Sequence, residues 1–164
     1  VMFWVPEVMR AMQAFMLGTT GFLGWPAVSL LAVVLLVCLL AGIAFSRVLD
    51  ALALGEATAA SLGIAVGPAR LVLVAVMALA TGTAVAQLGL VAFIGLAAPH
   101  LVRSVVKTTH RWLLPLSALA GGALLLAADV LARGLLAPQE LPVGVLTAVL
   151  GGGYLLVLMH RRPG

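Results

Sequence analysis

Charge is scarce in this chain: 9% of its 164 residues are Asp, Glu, Lys or Arg, against about a quarter in an ordinary soluble domain. Together with 64% hydrophobic residues and a mean hydropathy of +1.27, that scarcity excludes a water-soluble globular fold. The chain reads as an integral membrane protein. Nine basic residues stand against five acidic ones, a formal balance of +4. They lie between apolar runs, where they orient a membrane chain and do not mark a nucleic-acid surface. Cysteine occurs once, at Cys38 inside an apolar run, which excludes an internal disulfide and leaves the redox compartment open. His100, His110 and His160 are scattered, without the close His, Cys or carboxylate spacing of a metal centre, so no resident metal is expected. The opening residues, interrupted by Trp4, Pro6, Glu7 and Arg10, lack the pattern of a signal peptide, and the abrupt start at Val1 reads as part of a longer polypeptide.

What is present is a succession of long apolar runs. At roughly 20 residues per crossing there is room for about five, so the fold class is an all-α, polytopic transmembrane helix bundle. Residues 1–25 read as the end of a preceding helix and a turn, with Trp4 and Trp25 at headgroup level. Pro26–Ser46 has no charge over 21 residues and opens on a proline suited to the start of a helix. Leu71–Val102 runs for 32 residues without a charged side chain, well beyond the ~20 that one crossing requires. It must therefore turn back, most simply at Gln87 and Gly89. The result is a helix at 71–88 and a short return helix at 89–107, whose Arg103 and Lys107 snorkel to the interface. Crossings at 112–134 and 142–160 follow, joined by a turn at 135–141 in which Glu140 fixes the turn or caps the last helix.

The segment 47–70 is different. Within it, LDALALGEATAASLGIAVGP (Leu49–Pro68) is polar enough to leave the bilayer and too apolar for a free loop. Gly55 and Gly63 divide it, Glu56 opens the second piece where a helix dipole favours a carboxylate, and Gly63 stands where a helix stop is expected. It reads as two short helices at one membrane face, with small side chains that let another protein approach closely. If this face is cytoplasmic, alternate crossings place Arg47, Arg70, Arg103, Lys107, Arg111, Arg161 and Arg162 on it and leave only Arg10 and Arg133 outside, a strong positive-inside bias. Small residues also recur every fourth position at Ala78, Gly82 and Ala86 and at Gly144, Ala148 and Gly152. They form stripes for helix packing and argue for a bundle, not a substrate.

Four collinear runs carry a family resemblance: LALGEATAASLG (Leu52–Gly63), GLVAFIGLAAPHLVR (Gly89–Arg103), HRWLLPLSALAGGALLLAADVLAR (His110–Arg133) and LLAPQELPVGVLTAVLGG (Leu135–Gly152). In order and spacing they resemble the permease subunits of ABC importers for ferric siderophores, haem and cobalamin. Those permeases are about twice this long, and the chain is similar to their C-terminal half. It departs from the family in having Thr109 where Asp commonly precedes His-Arg, Gly153 where Pro follows the Gly pair, and Ala92 for a frequent Gly.

The resemblance implies a transporter subunit with no catalytic centre and no directly bound cofactor. Its partners would be a second permease copy or homologous subunit, a cytoplasmic ABC ATPase dimer that hydrolyses ATP, and a periplasmic or lipoprotein substrate-binding protein. The implied location is the bacterial inner membrane, and the implied cargo is an iron chelate, with haem or cobalamin as alternatives. LALGEATAASLG matches the family's coupling helices, which makes Leu54, Gly55, Glu56, Ala59, Leu62 and Gly63 the expected ATPase-contact residues. Arg133 matches an arginine that docks the binding protein. It also shares a helix face with Asp129, so a local ion pair stays open. Gly95, Pro99 and His100 match the family's Gly and Pro-His pattern, either as a hinge or with the histidine satisfied by a neighbouring helix. Without its other half the chain should not transport alone. Three rivals are a truncated, non-transporting bundle, a permease for free divalent metal, which should carry intramembrane ligand clusters, and a hydrolase built on Ser104, His100 and Asp129.

Overall fold

The computed structural model describes residues 4–21, 23–135 and 141–160. Among these, all regular structure is helical: α1 (Trp4–Leu17), α2 (Trp25–Ala44), α3 (Ser46–Ala53), α4 (Glu56–Ser61), α5 (Val66–Leu88), α6 (Ile94–Val105), α7 (His110–Leu135) and α8 (Val143–His160). Four of them, α2, α5, α7 and α8, are long and apolar enough to cross a membrane. The chain is a multi-pass membrane protein.

Element starts and stops follow local chemistry. Pro26 lies in the first turn of α2, where its missing amide costs no helical bond. Phe45 alone separates α2 from α3, with φ −91° and ψ 10°, and its backbone bonds to Ala41 and Leu49 are kept. α5 begins at Val66, five residues before the expected 71, because Pro68 and Arg70 sit in its opening turns outside the apolar stretch. α7 likewise extends one or two residues beyond 112–134 at each end, and α8 starts one residue after 142.

The return helix departs most from expectation. A helix over 89–107 is expected, whereas α6 spans only Ile94–Val105. Gly89 (φ 73°) ends α5, and Phe93 (φ 68°) sits in the left-handed region at the mouth of α6, so residues 90–93 run as non-helical chain. The expected turn at 135–141, with Glu140, lies outside the described residues apart from its two ends, as do Arg161 and Arg162.

The interior is built from small side chains. Ala51, Ala59, Ala69, Ala98, Ala128 and Ala132 are buried, while most large apolar residues point outward. Helices that associate in lipid gain little from hiding leucine and much from close backbone approach, which is the pattern seen here. α7 is central, packing against α2, α3, α6 and α8. The tightest place is a crossing of three backbones at Gly18, Gly89 and Gly144. A Cβ on Gly18 would stand 2.6 Å from the Leu90 carbonyl oxygen, and one on Gly144 would stand 2.5 Å from the same oxygen. Two main-chain bonds stitch the crossing, Leu90 N–H to Phe15 C=O (3.0 Å) and Thr19 N–H to Leu88 C=O (2.9 Å). The small-residue face of α8 is therefore Gly144, Thr147 and Gly151, all buried, and not the expected Gly144–Ala148–Gly152. Gly152 meets nothing, and neither does Gly82 on α5, whose Ala78 and Ala86 are exposed.

Candidate functional site

Hydrogen bonds and ion pairs sort the basic residues to one end of the bundle. Asp50 of α3 bonds the start of α7, Arg103 at the end of α6 reaches His110, and Arg70 of α5 pairs with Glu56 of α4. Arg47, Arg70, Arg103 and Arg111 therefore share an end with the α3–α4 pair. The opposite end holds the α1–α2 turn, the end of α5, the start of α8 and Arg133.

At the basic end, α3 and α4 form the expected two short helices. Gly55, at φ 113° and ψ 152°, turns one into the other. Gly63 (φ 78°) closes α4: its N–H bonds the Ala60 carbonyl (3.0 Å) and the Ile64 N–H bonds that of Ala59 (3.2 Å), the paired bonds of a Schellman stop. Leu54 and Leu62 are 72% and 65% exposed, so each side of α4 presents a bare leucine. Gly55 and Gly63 have open space where a side chain would be. Glu56 opens α4 as expected and pairs with Arg70, both well exposed, and an exposed pair adds little stability. Ala59 corrects the expectation: it is fully buried, α4 lying against α3 and α5, and it does not belong to the outward surface.

At the opposite end Arg133 donates from Nε to Asp129 Oδ2 (3.0 Å) and from Nη2 to Thr20 Oγ1 (3.3 Å), while Thr20 donates to the other Asp129 oxygen. Asp129 thus holds two partners. The arginine remains about half exposed, with 47% of its side chain accessible. Thr20 closes this cluster from the α1–α2 turn, and the sequence reading missed it. A lone threonine in GTTG gives no sign of its partner 109 residues away. A cleft of about 220 Å³ opens beside the cluster, bounded by Thr19, Asp129, Arg133 and Pro142.

The Pro99–His100 pair does not break α6. The helix runs unbroken through Pro99, whose absent N–H leaves the Gly95 carbonyl without its helical partner. Gly95 faces open space. His100 stacks edge-on to Tyr154 of α8, ring centres 5.9 Å apart at 68°, so a neighbouring helix accommodates it. The irregular backbone lies upstream, at Phe93, which packs on Gly151. The serine-histidine-acid arrangement does not assemble: Ser104 donates to the Leu101 carbonyl at 2.7 Å, and Asp129 is engaged by Thr20 and Arg133. Among the described residues no three His, Cys, Asp or Glu side chains gather as a metal site.

A second cluster at the basic end was not anticipated. The Asp50 carboxylate accepts from the His110 backbone N–H (3.0 Å) and meets the same ring at Nδ1 (2.5 Å), while Arg103 Nη2 lies 3.4 Å from Nε2. The bonds from the His110 backbone and ring hold the Asp50 carboxyl below its usual range. Thr109 stands where the family commonly has an Asp before His-Arg, and here a carboxylate from another helix, Asp50, accepts the His110 N–H.

The model of the FecCD transport family matches residues 1–161. The chain belongs to the FecCD transport family. It is 42% identical over 156 residues to the hemin transport system permease protein of Yersinia pestis, covering 95% of this chain and 47% of that one. It is 43% identical over 137 residues to the Fe(3+) dicitrate transport system permease protein of Escherichia coli K12, covering 84% and 43%. A vitamin B12 import system permease protein of E. coli O6:H1 is 43% identical over 157 residues, covering 93% and 47%. The fold matches a solved inward-facing metal-chelate type ABC transporter with a TM-score of 0.88 at 28% identity, over 96% of this chain and 51% of the other. This FecCD chain therefore spans about half the length of the relatives it matches.

Proposed function

We propose that this FecCD chain is the C-terminal half of a permease subunit in an ABC importer that takes up an iron chelate, a ferric siderophore in the first instance, across the bacterial inner membrane. Relatives named for hemin and ferric dicitrate support an iron-bearing cargo, and those named for hemin and vitamin B12 keep haem and cobalamin as the alternative cargoes. The permease works beside a second copy or homologous subunit, binds no cofactor itself, and leaves ATP hydrolysis to a cytoplasmic ATPase dimer. Arg133, half exposed beside its cleft, is the docking residue for a periplasmic or lipoprotein binding protein that carries acidic side chains.

The observation that carries this reading is the pair of bare leucines, Leu54 and Leu62, on a rigid two-helix stub at the basic end. Basic ends face the cytoplasm, and an exposed apolar pair flanked by glycines without side chains suits a groove on a partner protein. Movement of the ATPase biases the permease only if its two states contact the stub differently. Leu62→Asp in the complete permease tests this. ATPase binding should weaken by about 30-fold, the loss of one interface anchor of about 2 kcal/mol, with membrane insertion unchanged. Wild-type ATPase binding by Leu62→Asp would remove the coupling assignment.

A further inference from the structure

α7 is attached at both of its ends to the elements that meet partners. It runs 26 residues from His110 to Leu135, about 39 Å at 1.5 Å per residue, enough to pass from one face of the bundle to the other. At its first residue the Asp50 carboxylate of α3 accepts the His110 N–H and engages its ring. At its far end Asp129 and Arg133 hold Thr20 in the α1–α2 turn.

The inner attachment is unusual in its connectivity. A helix start needs acceptors for its free N–H groups, and normally a residue just before it provides one. Thr109 is itself a residue type suited to that role, yet the His110 N–H is accepted by the Asp50 carboxylate, from a different helix, one that belongs to the stub. The carboxylate also faces the positive end of the α7 dipole, and Arg103 brings α6 into the same cluster. A displacement of α3 cannot leave the start of α7 behind without uncapping it.

We infer that α7 is the strut that links the stub to the outer docking face, with Asp50–His110 as its inner joint and Thr20–Asp129–Arg133 as its outer one. This rests on the importer reading. In it Asp50 and His110 are positioning residues, touching neither ATPase nor cargo. The strut makes the two faces reciprocal: whatever nucleotide state does to binding-protein affinity, the binding protein does to the ATPase.

The test uses the complete permease with its ATPase in liposomes and measures affinity for the cargo-free binding protein, without nucleotide and with a non-hydrolysable ATP analogue. The wild type should show a ratio of about tenfold between the two states, within the usual range of such couplings. Asp50→Ala should bring that ratio to below about twofold while each partner still binds, because only the transmission between sites is cut. An unchanged ratio in Asp50→Ala overturns the strut. Should Asp50→Ala fail to assemble, His110→Pro decides, since it removes both the N–H and the ring that Asp50 engages at a first helical position where proline is tolerated: a ratio at least halved supports the strut, an unaltered one overturns it. A wild type that binds neither partner overturns the importer reading itself, an outcome distinct from a wild type that binds both with no nucleotide dependence, which overturns only the strut.

Discussion

Replacing Gly144 by alanine puts the packing argument at direct risk. The new Cβ would press on the main-chain oxygens of Leu17 and Leu90 and stand 2.9 Å from the Leu17 carbonyl carbon. Those atoms belong to backbones that are themselves bonded to each other, Leu90 N–H to Phe15 C=O at 3.0 Å, so no flexible side chain can swing aside. Overpacking of this kind costs about 1–3 kcal/mol, and a rigid backbone environment places it at the upper end. Loss of the Leu90–Phe15 bond adds about 1 kcal/mol. Alanine regains about 1 kcal/mol over glycine inside a helix, which leaves a net destabilisation of about 3 kcal/mol. Gly152→Ala is the control: it has the same helix, the same propensity gain and nothing within contact of its new Cβ. In detergent, thermal unfolding of Gly144→Ala should fall by about 6–12 °C if the usual scaling for 150–250 residues holds, with Gly152→Ala unchanged or slightly higher. Equal melting of the two variants would refute the three-backbone crossing.

Two further outcomes follow from single residues. Because the folded Asp50 pKa lies below its ordinary value of 3.8, the α3–α7 joint is complete at pH values above that ordinary value and is lost as pH falls through the lowered one; hydrogen-exchange protection of the His110 amide should drop in acid for the wild type and stay flat in Asp50→Asn. Pro99→Ala restores the N–H that the Gly95 carbonyl lacks in an unbroken helix, so it should leave the fold intact and raise stability by about 1 kcal/mol, and a large loss of stability on thermal unfolding would show that the proline is needed where it stands.

Much of this architecture was legible in the sequence because its signals are local. Long apolar runs mark α2, α5, α7 and α8, and the glycine at 63 with φ 78° stops α4 where a stop is expected. What escaped was set by contacts between distant segments. Phe93 occupies a backbone region that an aromatic residue rarely takes, and only Gly151 on α8, with no side chain of its own, leaves room for it there. Ala59 looked like its neighbours in a row of small residues, and its burial depends on where α3 and α5 lie. Asp50 and His110, 60 residues apart, carry no motif that pairs them.

The short α6 has a geometric consequence for how 89–107 passes the bilayer. Leu90 lies against Gly144 and Phe93 against Gly151, so residues 90–93 descend alongside seven residues of α8, about 10 Å of helix axis. The 12 residues of α6 add about 18 Å. The total of about 28 Å comes close to the ~30 Å hydrocarbon core, although neither part would reach alone. Non-helical backbone is tolerated at membrane depth only where protein surrounds it, and here the three-glycine crossing and α8 supply that cover. The crossing expected as a short helix is thus made in two parts, and it leaves Arg103 at the same end as Arg70 and Arg111. Cysteine placed at 105 and at 90 should label from opposite sides of the membrane; labelling of both from one side would sink the two-part crossing and the strut's orientation together.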